Sequence, residues 1–167
     1  GQEYGDFVLK KTAECISGCT SEGQKVYKLV ADEFLILDVA SDEAKDADKL
    51  YDKVREAIDR FIETNEFKVM YTVSGGIVPF AALKGNQCSE ALKLTDFALN
   101  EAKKLGRNRC YIFNGETYRK FLRKREITQE LREAVINGFQ GFTAFYQPVF
   151  AEDKKVPYGA EALMRFT

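Results

Sequence analysis

Histidine is absent from the 167-residue chain. That excludes a Ser-His triad, a Cys-His dyad and any histidine-based zinc site. No apolar run approaches the ~20 residues that a membrane helix needs. The N-terminal stretch GQEYGDFVLK has no signal-peptide pattern, so a cytoplasmic chain without a membrane segment is expected. No CxxC pair occurs among Cys15, Cys19, Cys88 and Cys110, which argues against a four-cysteine zinc site and for reduced thiols. The net charge of −1 gives no general electrostatic grip on nucleic acid. Internal repeats and low-complexity segments are missing too. What is present is a hydrophobic fraction of 45% beside a charged fraction of 31%. That is the balance of a globular chain long enough for one domain, or for one domain and part of another.

Residues 5 to 16 place Phe7, Val8, Ala13 and Ile16 roughly on one helical face, and Cys15 and Cys19 share a face. A loop is expected from Gly18 to Gly23. QKVYKLV and EFLILDV then predict two strands joined at Ala31-Asp32. The second is nearly all apolar, as a central strand covered on both faces should be. Ser41 is the expected N-cap of a helix whose stripe is Ala47, Leu50, Val54, Ala57, Ile58, Phe61 and Ile62. FKVMYTV (67–73) predicts a strand closed by Ser74-Gly75-Gly76. Ser89 is the expected cap of a helix with Leu92, Thr95, Ala98, Leu99, Ala102 and Leu105 inward, stopped by Gly106. RCYIF (109–113) predicts a short strand. From residue 116 to 138 a charged helix has only sparse apolar positions, Tyr118, Phe121, Leu122, Leu131 and Val135, which suits a linker. FTAFYQPVF and VPYGAEALMRF predict two strands around a turn at Glu152-Asp153. The order implies an α/β sandwich with a mainly antiparallel sheet.

Asp32 and Glu33 lie at a hairpin turn, where carboxylates can hold a divalent ion. Lys103 and Arg107 are four apart at a helix end and can reach one side. Asp6 lies near the start of the first helix. A nucleoside triphosphate needs such parts: a carboxylate for the metal, cations for the phosphates and an acidic acceptor for guanine N–H groups. Taken singly, each feature also has an ordinary structural explanation in turn chemistry or helix-dipole complementation.

Their order along the chain adds more. GQEYGDFVL, VADEFLIL, VSGGI, TDFALNEAKKLGRN and CYIFN resemble, in order and spacing, the GGDEF domains of the diguanylate cyclases. FYQPVF and YGAEALMRF resemble the first two strands of an EAL domain, the cyclic di-GMP phosphodiesterase barrel. The resemblance implies a GGDEF-like domain over 1–114, a linker helix over 115–138 and the beginning of an EAL domain over 139–167. The implied fold is palm-like, a ferredoxin-like βαββαβ sandwich lacking its first strand, with a β-hairpin from the EAL barrel. It implies Asp32 as a Mg²⁺ ligand and Glu33 as the catalytic neighbour of the reacting phosphate. Asp6 then matches a guanine contact, and Lys103 and Arg107 match phosphate contacts to GTP. In the EAL part Glu161 matches a metal ligand, and Gln147 and Arg165 match contacts to cyclic di-GMP. A bacterial, cytoplasmic signalling protein acting as a homodimer is implied as well.

The chain departs from the pattern. Val30 and Ala31 replace both glycines of the signature, and a β-branched valine is poorly suited to a left-handed backbone. The family's first strand, with its other metal-binding carboxylate, would precede Gly1. The product-inhibition motif would fall on Ser21 to Gln24, which reads SEGQ. A barrel of the EAL class needs about 200 residues or more, so this stretch is not expected to form an active phosphodiesterase. The expected role is a degenerate, regulatory module. FTAFYQPVF, with its aromatic residues, is expected to pair with another chain or to take the place of the first strand.

Overall fold

The computed structural model describes residues 2–41, 43–64, 70–85, 88–152 and 155–166. The elements are α1 (Gln2–Cys19), β1 (Gln24–Lys28), β2 (Phe34–Asp38), α2 (Ala44–Thr64), β3 (Gly75–Ile77), α3 (Cys88–Lys104), β4 (Cys110–Ile112), α4 (Gly115–Ile136), β5 (Phe142–Phe150) and β6 (Pro157–Phe166). They fall into two compact units, Gly1–Gly115 and Glu116–Thr167. The architecture is mixed α/β with three two-stranded ladders among the described residues. No helix among them is long and apolar enough to cross a membrane.

The core of the first unit follows from the period of α2. Leu50, Val54 and Ile58 recur every four residues, so they fall on one stripe, and they bury against Ile16 of α1. Ile58 is 1% exposed, and a burial of that kind stabilises by about 2 kcal/mol. Val26, Phe34 and Ile36 of the β1–β2 ladder pack on this cluster, as do Tyr71 and Val73. The buried Thr12 hydroxyl donates to Val8 O (2.9 Å) and meets Tyr71 Oη at 2.9 Å. Tyr51 Oη donates to Val73 O (2.9 Å). These bonds tie the segment before β3 to both helices. Cys15 and Cys19 do share a face, and their thiols lie 3.8 Å and 3.6 Å from Ala57 O and Lys53 O of α2.

β1 and β2 pair antiparallel from Gln24↔Asp38 to Lys28↔Phe34. β2 pairs with β1 alone among the described residues, and Leu37 is exposed, so it is not the doubly covered central strand its apolar run suggests. β3 and β4 are parallel, Gly75 opposite Cys110 and Ile77 opposite Ile112. The third strand is therefore displaced from the expected 67–73. Residues 70–74 carry no ladder, residues 67–69 lie outside the described residues, and Gly75 and Gly76 form the strand instead of closing it. The reason is close packing. A Cβ on Gly76 would stand 2.4 Å from Leu99 N and 2.9 Å from Thr95 O, so strand and α3 backbones touch where only glycine fits.

Several boundaries move for similar local reasons. α1 runs through Gly18 to Cys19, so the loop begins later than expected. Ser41 lies before α2; its hydroxyl accepts Glu43 N–H (3.2 Å) and donates to Asp46 (2.7 Å), while Asp42 is outside the described residues. The Ser41 hydroxyl and the Lys49 ammonium hold the Asp46 carboxyl below its usual range. Ser89 falls inside the first turn of α3 and is not its cap. The inward face of α3 is also rotated. Leu94, Phe97, Ala98 and Ala102 are buried, whereas Leu92 and Leu105 are exposed. Phe97 sets this rotation by meeting Phe113 edge-on, ring centroids 6.1 Å apart. Burial beside Tyr51 and Gly75 pushes the Cys110 thiol up to about 12.

In the second unit, α4 is nearly all exposed, with Ala134 its one buried residue among those described. It ends at Gly138 (φ +76°) with Phe139 N–H donating back to Ala134 O (2.8 Å), a Schellman closure. β5 and β6 then form an antiparallel hairpin, with a register shift between Val149 and Phe150. The pairing of β5 with β6 is the hairpin expected for this stretch.

Candidate functional site

The loop between β1 and β2 reads Leu29-Val30-Ala31-Asp32-Glu33. Leu29 N–H donates to Glu33 O (2.9 Å) and Glu33 N–H donates to Val30 O (3.0 Å). Closing the loop that way turns Ala31 into the left-handed region, at φ +53°. A residue with a Cβ pays about 1–2 kcal/mol there, and glycine does not. The left-handed residue is Ala31 and not Val30. Val30 points into solvent, 79% exposed. So the turn retains a glycine-type backbone without a glycine.

Asp32 and Glu33 are both exposed on this loop. The side chain of Lys28 reaches the backbone of the loop. Its ammonium donates to Leu29 O (3.5 Å) and to Ala31 O, and it lies 5.2 Å from the centre of the Phe34 ring. The far end of the same hairpin is also closed by its own residues. Asp38 accepts Ala40 N–H (2.9 Å) and Gln24 Nε2 (2.7 Å). Gln24 N–H donates to Ser21 O (3.0 Å), and Ser21 N–H donates to Gln24 Oε1 (2.9 Å). Positions 21 and 24 carry Ser and Gln, where an RxxD motif would have a cation and a carboxylate.

Lys103 and Arg107 flank the end of α3. Arg107 N–H donates to Ala102 O (3.2 Å) and Gly106 N–H to Lys103 O (3.4 Å), with Gly106 at φ +112°. This is a Schellman motif with glycine at C′. Arg107 and Asn108 continue left-handed at +58° and +48°, and Asn108 N–H is taken by Ser74 Oγ (3.2 Å). Lys103 is half-buried and Arg107 is exposed. Asp6 is exposed on α1. The ion pairs of the described residues, such as Lys11–Glu14, Lys104–Glu101 and Lys120–Glu116, run along single helices, and none includes Asp6, Asp32, Glu33, Lys103 or Arg107.

In the hairpin of the second unit, Gln147 faces Glu161 and Thr143 faces Arg165. Side chains alternate with a period of two, so Gln147, Glu161 and Arg165 share one face. Phe145 and Leu163 lie between them on that face. The other face carries Tyr146 and Met164, both exposed.

The residues at the β1–β2 turn do not make a divalent-ion site by themselves. Among the described residues no three histidine, cysteine or carboxylate side chains cluster to hold a metal. A magnesium ion demands near-octahedral oxygen ligands, and here one adjacent carboxylate pair shares its loop with an ammonium group. Lys28 escaped the sequence reading because a lysine at the end of a polar strand is ordinary. Its register opposite Phe34 is what aims it at the turn. Gly76 escaped because a glycine pair after a β-branched run reads as a stop.

Comparison with known proteins agrees with this topology. Residues 1–109 match the model of the diguanylate cyclase, GGDEF domain family. The chain is 27% identical over 167 residues to "Cyclic di-GMP phosphodiesterase NbdA" of Pseudomonas aeruginosa, covering 99% of this chain and 21% of that protein. It is 28% identical over 166 residues to "Signaling protein YkoW" of Bacillus subtilis, covering 99% and 20%. It is 26% identical over 166 residues to "Bifunctional diguanylate cyclase/cyclic di-GMP phosphodiesterase MucR" of Pseudomonas aeruginosa, covering 99% and 24%. The chain thus spans between a fifth and a quarter of these relatives' length. With the β1–β2 signature hairpin, the close-packed β3–α3 pair and the match over residues 1–109 in hand, the chain belongs to the GGDEF domain family.

Proposed function

We propose that this chain is a cyclic di-GMP signalling module whose GGDEF domain does not condense GTP. The observation that carries this reading is the turn at residues 29–33. Ala31 holds a left-handed φ of +53°, Val30 stands where a nucleotide would meet bare backbone, and the Lys28 ammonium donates into the loop. A phosphoryl-transfer site needs its metal and cationic clamps aimed at the reacting phosphate. A loop with alanine held left-handed and valine in place of glycine is poorly suited to that. Family membership supports the signalling role, and the names of the relatives tie such chains to cyclic di-GMP.

Asp6, Lys103 and Arg107 keep the guanine-binding and phosphate-binding chemistry, so GTP is proposed as a ligand held without turnover. Glu33 and Asp32 take no catalytic or metal role in this reading. The β5–β6 hairpin is proposed as the start of an EAL phosphodiesterase. The shared face of Gln147, Glu161 and Arg165 supports that, with Glu161 for the metal and the other two for cyclic di-GMP. The GGDEF module then regulates the phosphodiesterase, as a homodimer in the cytoplasm. The test is calorimetric titration of the chain with GTP. The reading predicts heat that is lost in Arg107→Ala and kept in Asp32→Ala. Equal loss in both variants would return Asp32 to a metal role and overturn it.

A further inference from the structure

We infer that Cys15 and Cys19 form a two-thiolate site for a soft monovalent cation, Cu(I), in the groove between α1 and α2. The two lie one turn apart on α1, and both pack against the core cluster that holds Ile16. Their thiols reach the carbonyls of Ala57 and Lys53, themselves one turn apart on α2, at 3.8 Å and 3.6 Å. Both cysteines line one open groove of about 440 Å³, together with Phe61, Glu14 and Arg60. Burial pushes the Cys15 thiol above its ordinary value, and the nearby Cys19 adds to the push. Cys15 is therefore held protonated and gives up its proton to a ligand that replaces it.

Spacing selects the chemistry. Side chains four apart on a helix have Cβ atoms about 5–6 Å apart. A disulfide needs about 3.5–4.5 Å, so a direct S–S bond would require α1 to unwind. One bridging atom with two thiolate bonds of about 2.3 Å spans the gap with the helix intact. Among the described residues no third histidine, cysteine or carboxylate completes a cluster, so a closed tetrahedral zinc site is not offered. A thiolate pair without a third ligand suits Cu(I), a soft ion. On binding, two S–H bonds break, two Cu–S bonds form and two protons pass to solvent, while copper stays Cu(I). The product carries one net negative charge. Arg60 of the same groove offsets it, and Glu14 is already paired with Lys11 at 2.6 Å.

The test is anaerobic titration of the reduced chain with Cu(I) buffered by the chelator bicinchoninate, whose coloured complex fades as the protein takes the ion. Cys88→Ser is the background, because Cys88 is exposed and competes for copper. One Cu(I) per chain is expected. Adding Cys15→Ser or Cys19→Ser is expected to lower the affinity more than about 100-fold, beyond the cost of losing an outer-shell partner. Serine keeps a donor for the α2 carbonyl, so the helix pair stays packed, which circular dichroism checks. X-ray absorption of the loaded Cys88→Ser protein should show two sulfur neighbours per copper, with no change in the protein's size on loading. Capture unchanged by either added serine overturns the inference. So does capture already lost in Cys88→Ser alone. Three or more sulfurs per copper, or a larger assembly formed on loading, overturns it as well.

Discussion

Gly106 and Ala31 sit in the same half of backbone space, at φ +112° and +53°, but only one of them is glycine. Gly106 closes α3, where two carbonyls would otherwise go without donors. Gly76 is constrained even more tightly, since a Cβ there would stand 2.4 Å from Leu99 N of α3. Both are glycines that the fold itself requires. At the β1–β2 turn the backbone makes the same conformational demand, yet the loop is solvent-facing and nothing of the core depends on it. There the chain carries valine and alanine, and the Lys28 ammonium donates to Ala31 O. The difference separates two duties of glycine. One is to let protein approach protein, and it is met at Gly75 and Gly76. The other is to let a ligand approach protein, the duty that the proposed reading assigns to residues 30 and 31, where no glycine stands.

The comparison can be broken most sharply at Gly76. Gly76→Ala is expected to destabilise by about 3 kcal/mol, since backbone on both sides cannot yield. Urea unfolding measures this, and a loss under about 1 kcal/mol would mean that strand and helix slide apart cheaply. Gly106→Ala is expected to cost about 1 kcal/mol, the left-handed penalty less a gain in chain stiffness. Ala31→Gly should have the opposite sign. Relief of the left-handed penalty is partly offset by glycine's extra entropy, leaving about 0.5 kcal/mol of added stability. A destabilised Ala31→Gly protein would show that the loop is not strained. The smallest effect concerns the approach to α2. Asp46 titrates low because of Ser41 and Lys49. Its contribution is fully present above the carboxyl's ordinary value and is lost as pH falls through the lowered folded value. Ser41→Ala should move the Asp46 titration upward in an NMR pH series and reduce the acid sensitivity of folding.

Much of this was legible in the residues. The α2 stripe of Leu50, Val54 and Ile58, the hairpin about Ala31-Asp32, the Gly106 stop and the charged α4 all follow from local period and turn chemistry. What local pattern could not carry was set by tertiary contact. Apolar residues occupy two faces of α3, and the Phe97–Phe113 contact selects between them. Gly75 and Gly76 look like breakers until α3 is seen pressed against them. For the candidate site, the family resemblance nominated Asp6, Asp32, Glu33, Lys103 and Arg107, but spacing said nothing of Lys28. Its aim depends on cross-strand register, which only the paired ladder reveals.

The central claim is that the turn at Asp32 and Glu33 no longer serves phosphoryl transfer. The most direct measurement is to incubate the chain with GTP and Mg²⁺ and to quantify cyclic di-GMP by mass spectrometry, beside Asp32→Ala. No cyclic di-GMP from either protein is the expected result. Cyclic di-GMP that forms with the wild type and disappears in Asp32→Ala would contradict the account.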